Sequence, residues 1–130
     1  MPKENKIDAV LIKVTGDNPF VHFVEVDRDN YRVINDLLEI DIMDIVYRRI
    51  GSKRYTIVCD DEGLLKDKPV VSAVDKNMKP QLVGNLLICN STNNGDLKSL
   101  SMSDFMYLYQ YIGHYFDNGI EIPVLIDVDY

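Results

Sequence analysis

Apolar residues in this chain come in short runs, the longest four or five positions, as in Ile122-Pro123-Val124-Leu125-Ile126. A helix that crosses a bilayer needs about 20 apolar residues, so runs this short carry no such span. Rich in β-branched and aromatic residues and separated by Gly, Pro, Asn and Asp, they read as strands with turns between them. "IDAVLIKV" at 7–14 is apolar on both alternating faces apart from Asp8 and Lys13, which suits a strand inside a sheet. "FVHFVEV" at 20–26 follows across "GDNP", so the two read as a hairpin. "IMDIVYRRI" and "RYTIVC" form a second pair around Gly51-Ser52-Lys53, and "DDEG" at 60–63 reads as a tight turn with Gly63 free to take positive φ. "PVVSAV" is a short strand with Pro69 at its edge. "LVGNLLIC" at 82–89 is a central strand in which Gly84 marks a bulge or a close backbone approach. "NSTNNGD" is a polar loop, and "EIPVLIDVDY" ends the chain as a further strand. An internal place suits that strand, because an exposed apolar edge invites aggregation.

The period changes twice. In "DRDNYRVINDLLEI", Val33, Ile34, Leu37 and Leu38 sit at helical spacing, with Asp29 placed to cap the first turn. "SMSDFMYLYQYIGHYFDNG" at 101–119 holds four of the eight tyrosines within nine positions. Read as a helix, it puts Phe105, Leu108, Tyr109, Ile112, Tyr115 and Phe116 on one arc, with Ser103, Gln110, His114 and Asp117 opposite. Ser101 and Asp104 make a capping-box pattern, and Gly119 is a stop. On this reading the arc seals the sheet and Tyr107 points outward beside Met106. The expected architecture is a single α+β domain over residues 1–130: a mostly antiparallel sheet of five or six strands with two helices packed on one face.

Charge and reactive residues narrow the function. Twenty-one acids against fourteen Lys and Arg give a net charge of −7, which disfavours direct nucleic-acid binding because few cations are left to replace phosphate counterions. No phosphate-binding glycine loop is present. His22 and His114 lack metal-ligand spacing, and Cys59 and Cys89 end apolar runs as buried, reduced thiols do. Asp60-Asp61-Glu62 and the pair Asp127 and Asp129 fall short of the six or more oxygens that calcium takes. The reading is therefore no catalytic residues, no cofactor and no metal. "MPKENKIDAVLIKV" is interrupted by Asp8 and Lys13 and does not read as a secretory leader, so a cytoplasmic location with no membrane association is expected.

Several stretches fall in a familiar order: "NYRVINDLLEI", "IDIMDIVYR", "YTIVCDDEGLLKDKPVV", "LVGNLLICN" and "SLSMSDFMYLYQYI". Together they resemble the domain-of-unknown-function family numbered 3846, found in bacteria, phages and mobile elements, over about residues 7 to 112. The most specific pieces are Cys59-Asp60-Asp61-Glu62-Gly63 with Leu64 and Pro69, then Val83-Gly84, then Leu100-Ser101. Departures fall at Ile40 and Asp41, where the family often has glycines, and at Val71, where it often has asparagine. The resemblance implies a small α+β accessory protein of phage or plasmid settings and carries no catalytic residues over.

The function expected is a non-catalytic protein–protein interaction module acting on a host or mobile-element protein, with self-association into a homodimer left open. Its surfaces would be the acidic stretch, through Asp36, Glu39, Asp41 and Asp44, and the outward side of the last helix, through Tyr107, Gln110 and His114. The alternative is a small-ligand binder or minor enzyme with a pocket near the 60–63 turn and the 90–99 loop. Whether the acids imitate nucleic acid is left open.

Overall fold

The computed structural model describes residues 6–14, 20–61, 71–74, 80–110, 112–117 and 120–125. β1 (Lys6–Lys13) and β2 (Phe20–Asp27) form the expected antiparallel pair, in register from Lys6 opposite Asp27 to Lys13 opposite Phe20. β3 (Met43–Ile50) and β4 (Lys53–Asp60) pair around a turn in which Gly51 takes φ 68°, the left-handed region that glycine enters without steric penalty. The two hairpins are joined by a strand from far along the chain. β7 (Leu86–Ser91) lies between β1 and β4, giving the order β2-β1-β7-β4-β3, and β8 (Leu97–Lys98) pairs with β7. A second sheet has the order β6 (Pro80–Val83), β5 (Val71–Val74), β10 (Ile120–Leu125), β9 (Ile112–Asp117), with β10 parallel to β5 and the other pairs antiparallel. β10 is thus internal to its sheet, as the apolar tail suggested.

The α+β class and the antiparallel sheet agree with the sequence reading, but the helices do not share a face. Ile7, Ala9 and Leu11 of β1 cluster with Leu87 and Cys89 of β7 and with Ile34 and Leu38 of α1 (Tyr31–Leu38). Val10 and Ile12 cluster instead with Leu86 and Ile88, with Ala73 and Leu82 of the small sheet, and with Leu108 of α2 (Met102–Tyr109). The cause is the two-sided apolar pattern of β1 and β7. Side chains alternate between faces along a strand, so both faces need cover, and one helix goes to each.

Three local features also differ. Asn30, not Asp29, caps α1, its Oδ1 accepting from the Val33 amide at 3.3 Å. The run 82–89 is two strands rather than one. Gly84, at φ +78°, and Asn85 turn the chain from the small sheet into the large one. No atom lies within 4 Å of where a Cβ on Gly84 would stand, so its backbone angle, not a close approach, calls for glycine there. Buried Asn85 then fastens the turn: its Oδ1 accepts from the Val14 amide at 2.8 Å and its Nδ2 donates to the Leu38 carbonyl at 3.0 Å.

The largest correction concerns the tyrosine-rich segment. The helix stops at Tyr109, and Ile112–Asp117 is a strand paired with β10. Continuing the helix through Gly113 would cost about 1 kcal/mol, and "IGHYF" is rich in strand-favouring residues beside a partner with matching register. Tyr109, expected in the core, is 73 % exposed. The side chains of Ile112, His114, Tyr115 and Phe116, and the placements expected for Gly63, Pro69, Gly119, Asp127, Asp129 and the "GDNP" turn, lie outside the described residues.

Candidate interaction surface

The Ser101–Asp104 capping box is formed. Asp104 is also the centre of a buried polar node. Its Oδ2 accepts from the Ser101 amide at 2.9 Å, the Ser101 hydroxyl at 3.0 Å and Asn90 Nδ2 at 2.9 Å, while Oδ1 takes the Lys53 ammonium and, at 3.4 Å, the Tyr55 hydroxyl. Burial alone would raise the Asp104 pKa. The hydrogen bonds from Lys53, the Ser101 amide, Asn90 and the Ser101 hydroxyl outweigh it and hold the carboxyl well below the usual carboxylate range. Burial first, and then the Asp104 charge, push the Tyr55 hydroxyl far above its ordinary value. The node joins α2 to β4 and β7 at one point. Tyr107 adds a second tie: its hydroxyl accepts from the Ser52 amide at 2.7 Å and sits 2.9 Å from the Ser52 hydroxyl. Tyr107 therefore packs against the core and does not point outward as expected.

With Leu108 buried and Tyr107 turned inward, the outward face of α2 belongs to other residues. Met102, Met106 and Tyr109, at i, i+4 and i+7, are 73 %, 67 % and 73 % exposed. Beside them Phe105 meets Phe23 of β2 edge-to-face, ring centroids 4.9 Å apart, and Phe23 is itself 62 % exposed. The result is an apolar patch running from α2 onto an edge strand of the large sheet. Sequence reading missed it because the assumed helix was about two and a half turns too long, which rotated its apparent apolar arc toward Tyr109. The signal was the Met102–Met106–Tyr109 spacing itself.

The described acids among the sequence-derived surface residues do not share one face of the large sheet. Asp36 and Glu39 belong to α1 and its cap, and Asp41 follows; all are exposed. Glu39 Oε2 pairs with Lys13 Nζ at 2.9 Å, and the Asp41 carbonyl accepts from Asn35 Nδ2 at 3.2 Å. Asp44 stands opposite Cys59 on β3, so it projects on the α2 side of the sheet, and its carboxylate accepts from the Ile45 amide at 2.9 Å. Gln110 is exposed at the end of α2.

Both cysteines are held in an unreactive state. Cys59 and Cys89 are free, buried and on opposite faces of the sheet, so they cannot bridge each other. Burial, with Asp44 adding to it, pushes the Cys59 thiol up to about 11, and burial pushes Cys89 up to about 12. Both are protonated at neutral pH, the unreactive form. Among the described residues no three His, Cys, Asp or Glu side chains gather as metal ligands, and no helix is long and apolar enough to cross a membrane.

One concavity adjoins the node. A groove of about 650 Å³ opens between the start of β4 and the β7–β8 hairpin, among Lys53, Arg54, Tyr55, Asn90, Thr92 and Lys98. Of the two segments expected to frame a pocket, the 90–99 loop does so; the other wall is the start of β4, at the opposite end of that strand from Asp60.

These features define a small two-sheet α+β domain with an anchored surface helix and an open polar groove. The chain belongs to the family described as Domain of unknown function (DUF3846), whose model matches residues 7–115. No curated protein and no solved structure matches it.

Proposed function

We propose that this protein is a non-catalytic protein–protein interaction module, an accessory factor of a phage or mobile element, which docks on a host or element-encoded protein through the outer face of α2. The observation that carries the reading is the stripe of Met102, Met106 and Tyr109, extended by Phe23, on a helix held by the Asp104 node. A contiguous exposed apolar patch is the usual mark of a protein contact. Methionines adapt to an apolar partner at small cost, and a helix already fixed in place loses little freedom on binding. The exposed acids Asp36, Glu39 and Asp41 lie away from this stripe and would influence association rate more than contact energy. The mobile-element setting comes from the family resemblance, and a cytoplasmic location accords with the free thiols. Quantitative affinity capture from a host lysate tests the reading, comparing the wild type with Met102→Ser/Met106→Ser and Asp36→Asn/Asp41→Asn. The methionine pair should lose the captured protein and the acid pair should keep it at moderate salt. Equal recovery by wild type and methionine variant refutes the docking face.

A further inference from the structure

The outer edge of β3 is capped by its own side chains. Among the described residues β3 pairs with β4 alone, so it is an edge of the large sheet. The Asp61 amide donates to the Ile42 carbonyl at 2.9 Å, which turns the Ile42 backbone toward β4. Backbone groups alternate in direction along a strand, so those of Met43, Ile45, Tyr47 and Arg49 face away from β4. Two of these outward groups meet side chains. The Ile45 amide donates to Asp44 Oδ1 at 2.9 Å, and the Tyr47 carbonyl accepts from Arg48 Nη1 at 2.9 Å. Charged side chains, lysine above all, commonly blunt an exposed edge, since like charges repel a second copy. Here the two caps have opposite signs and sit at positions 44 and 48 of one strand, a pattern complementary to itself when the strand is reversed.

We propose that the protein pairs with a second copy of itself through β3, the two strands antiparallel about a two-fold axis at Val46. In this register Asp44 stands opposite Arg48 of the second copy, and Arg48 opposite its Asp44. Side chains alternate along a strand, so Asp44, Val46 and Arg48 share the Cys59 face of the sheet and the ion pairs form on one side. Ile45 falls opposite Tyr47 and exchanges backbone hydrogen bonds with it. The Ile45 amide then trades the Asp44 carboxylate for a carbonyl, and the Tyr47 carbonyl trades the Arg48 guanidinium for an amide. The released carboxylate and guanidinium meet across the junction, at the non-hydrogen-bonded positions where Cα atoms approach to about 4.5 Å. Each of the four groups that loses a partner gains one. Exposed Tyr47 also gains cover from Ile45, the kind of aromatic and β-branched pair that stabilises a sheet. Sliding the register by one step either way sets Asp44 opposite Ile50 or Val46, so the Val46-centred register is the one that pairs these charges. The contact stands on different residues from the α2 docking face, and either can fail alone.

Sedimentation equilibrium of the wild type, Asp44→Arg and the charge swap Asp44→Arg/Arg48→Asp tests the proposal, together with disulfide trapping of Val46→Cys and Ile42→Cys. Asp44 is exposed, so its replacement leaves the core intact. The wild type should show a concentration-dependent dimer. Asp44→Arg turns both cross-strand attractions into repulsions and should raise the dimer Kd by about tenfold or more; the swap should restore it. Val46→Cys should link two copies on oxidation, because thiols at the axis stand within the reach of about 7 Å between Cα atoms that a disulfide spans. Ile42→Cys, far from its own copy in this register, should stay unlinked, and buried Cys59 and Cys89 stay out of the exchange. A monomer at every concentration up to the millimolar range, a dimer indifferent to Asp44→Arg, a swap as weak as the single variant, or equal linking at positions 42 and 46 would each overturn it.

Discussion

Replacing Asp104 with alanine should destabilise the protein by about 2–3 kcal/mol. Ser101 still caps the helix in that variant, because its hydroxyl accepts from the backbone amide of residue 104; loss of the carboxylate's bond to Lys53 and of its charge in the first turn of α2 costs about 1 kcal/mol. The Ser101 amide and the Asn90 amide lose an acceptor in a part-buried setting, and stranding such donors costs about 1–2 kcal/mol more. The larger penalty of about 3–5 kcal/mol for breaking a fully buried ion pair does not apply, because the Lys53 side chain is 46 % exposed and can rehydrate. Asp104→Asn keeps one acceptor oxygen and should fall between alanine and wild type. The pH dependence has a definite sign. The folded pKa lies below the unfolded value, near 3.9 for an aspartate, so the ionised carboxylate contributes fully above that value. The contribution shrinks as pH falls through the acid range toward the folded pKa. Urea denaturation at pH 7 and pH 3 measures both effects. The gap between wild type and Asp104→Asn should be narrower at pH 3. A loss below about 0.5 kcal/mol for the alanine variant, the size of an ordinary surface change, would refute the node, and so would a gap that ignores pH.

Other consequences of the fold are open to direct measurement. Gly84→Ala should cost about 1–2 kcal/mol by denaturation, because φ +78° strains any residue with a Cβ even though the space beside it is open. Glu39 holds the left-handed cap of α1 at φ 60°; Glu39→Gly should be more stable than Glu39→Ala by roughly 1 kcal/mol, since both lose the Lys13 pair and only alanine keeps the strain. Cys59 and Cys89, raised to about 11 and about 12, should react slowly with a thiol reagent at pH 8 in the native protein and rapidly once it is unfolded in denaturant.

Strand identity was legible because it rests on local composition: β1, β2, β3 and β4 stand where alternation and turn residues put them. The Ser101–Asp104 cap was legible for the same reason, being a contact within one turn. What escaped depends on distant partners. Whether "IGHYF" prolongs a helix or forms a strand is decided by β10, whose register no local pattern encodes. Whether 82–89 is one strand or two is decided by two separate sheets competing for it across Gly84. The assignment of one helix to each face follows from the two-sided apolar pattern of β1, but which helix covers which face depends on contacts between distant segments. The groove was half legible: the 90–99 loop was marked by composition, while its other wall needed the parting of β4 from β7.

Photo-crosslinking from position 106 would test the docking face at the residue where contact is expected. A light-activated amino acid at Met106, with a second variant carrying it at Asp36, is irradiated in host cells and the adducts are separated by mass. A discrete adduct from position 106, lost when Met102→Ser is added and missing from position 36, is the outcome expected of an α2 interface. No adduct at 106, or the same set of adducts from both positions, is incompatible with it.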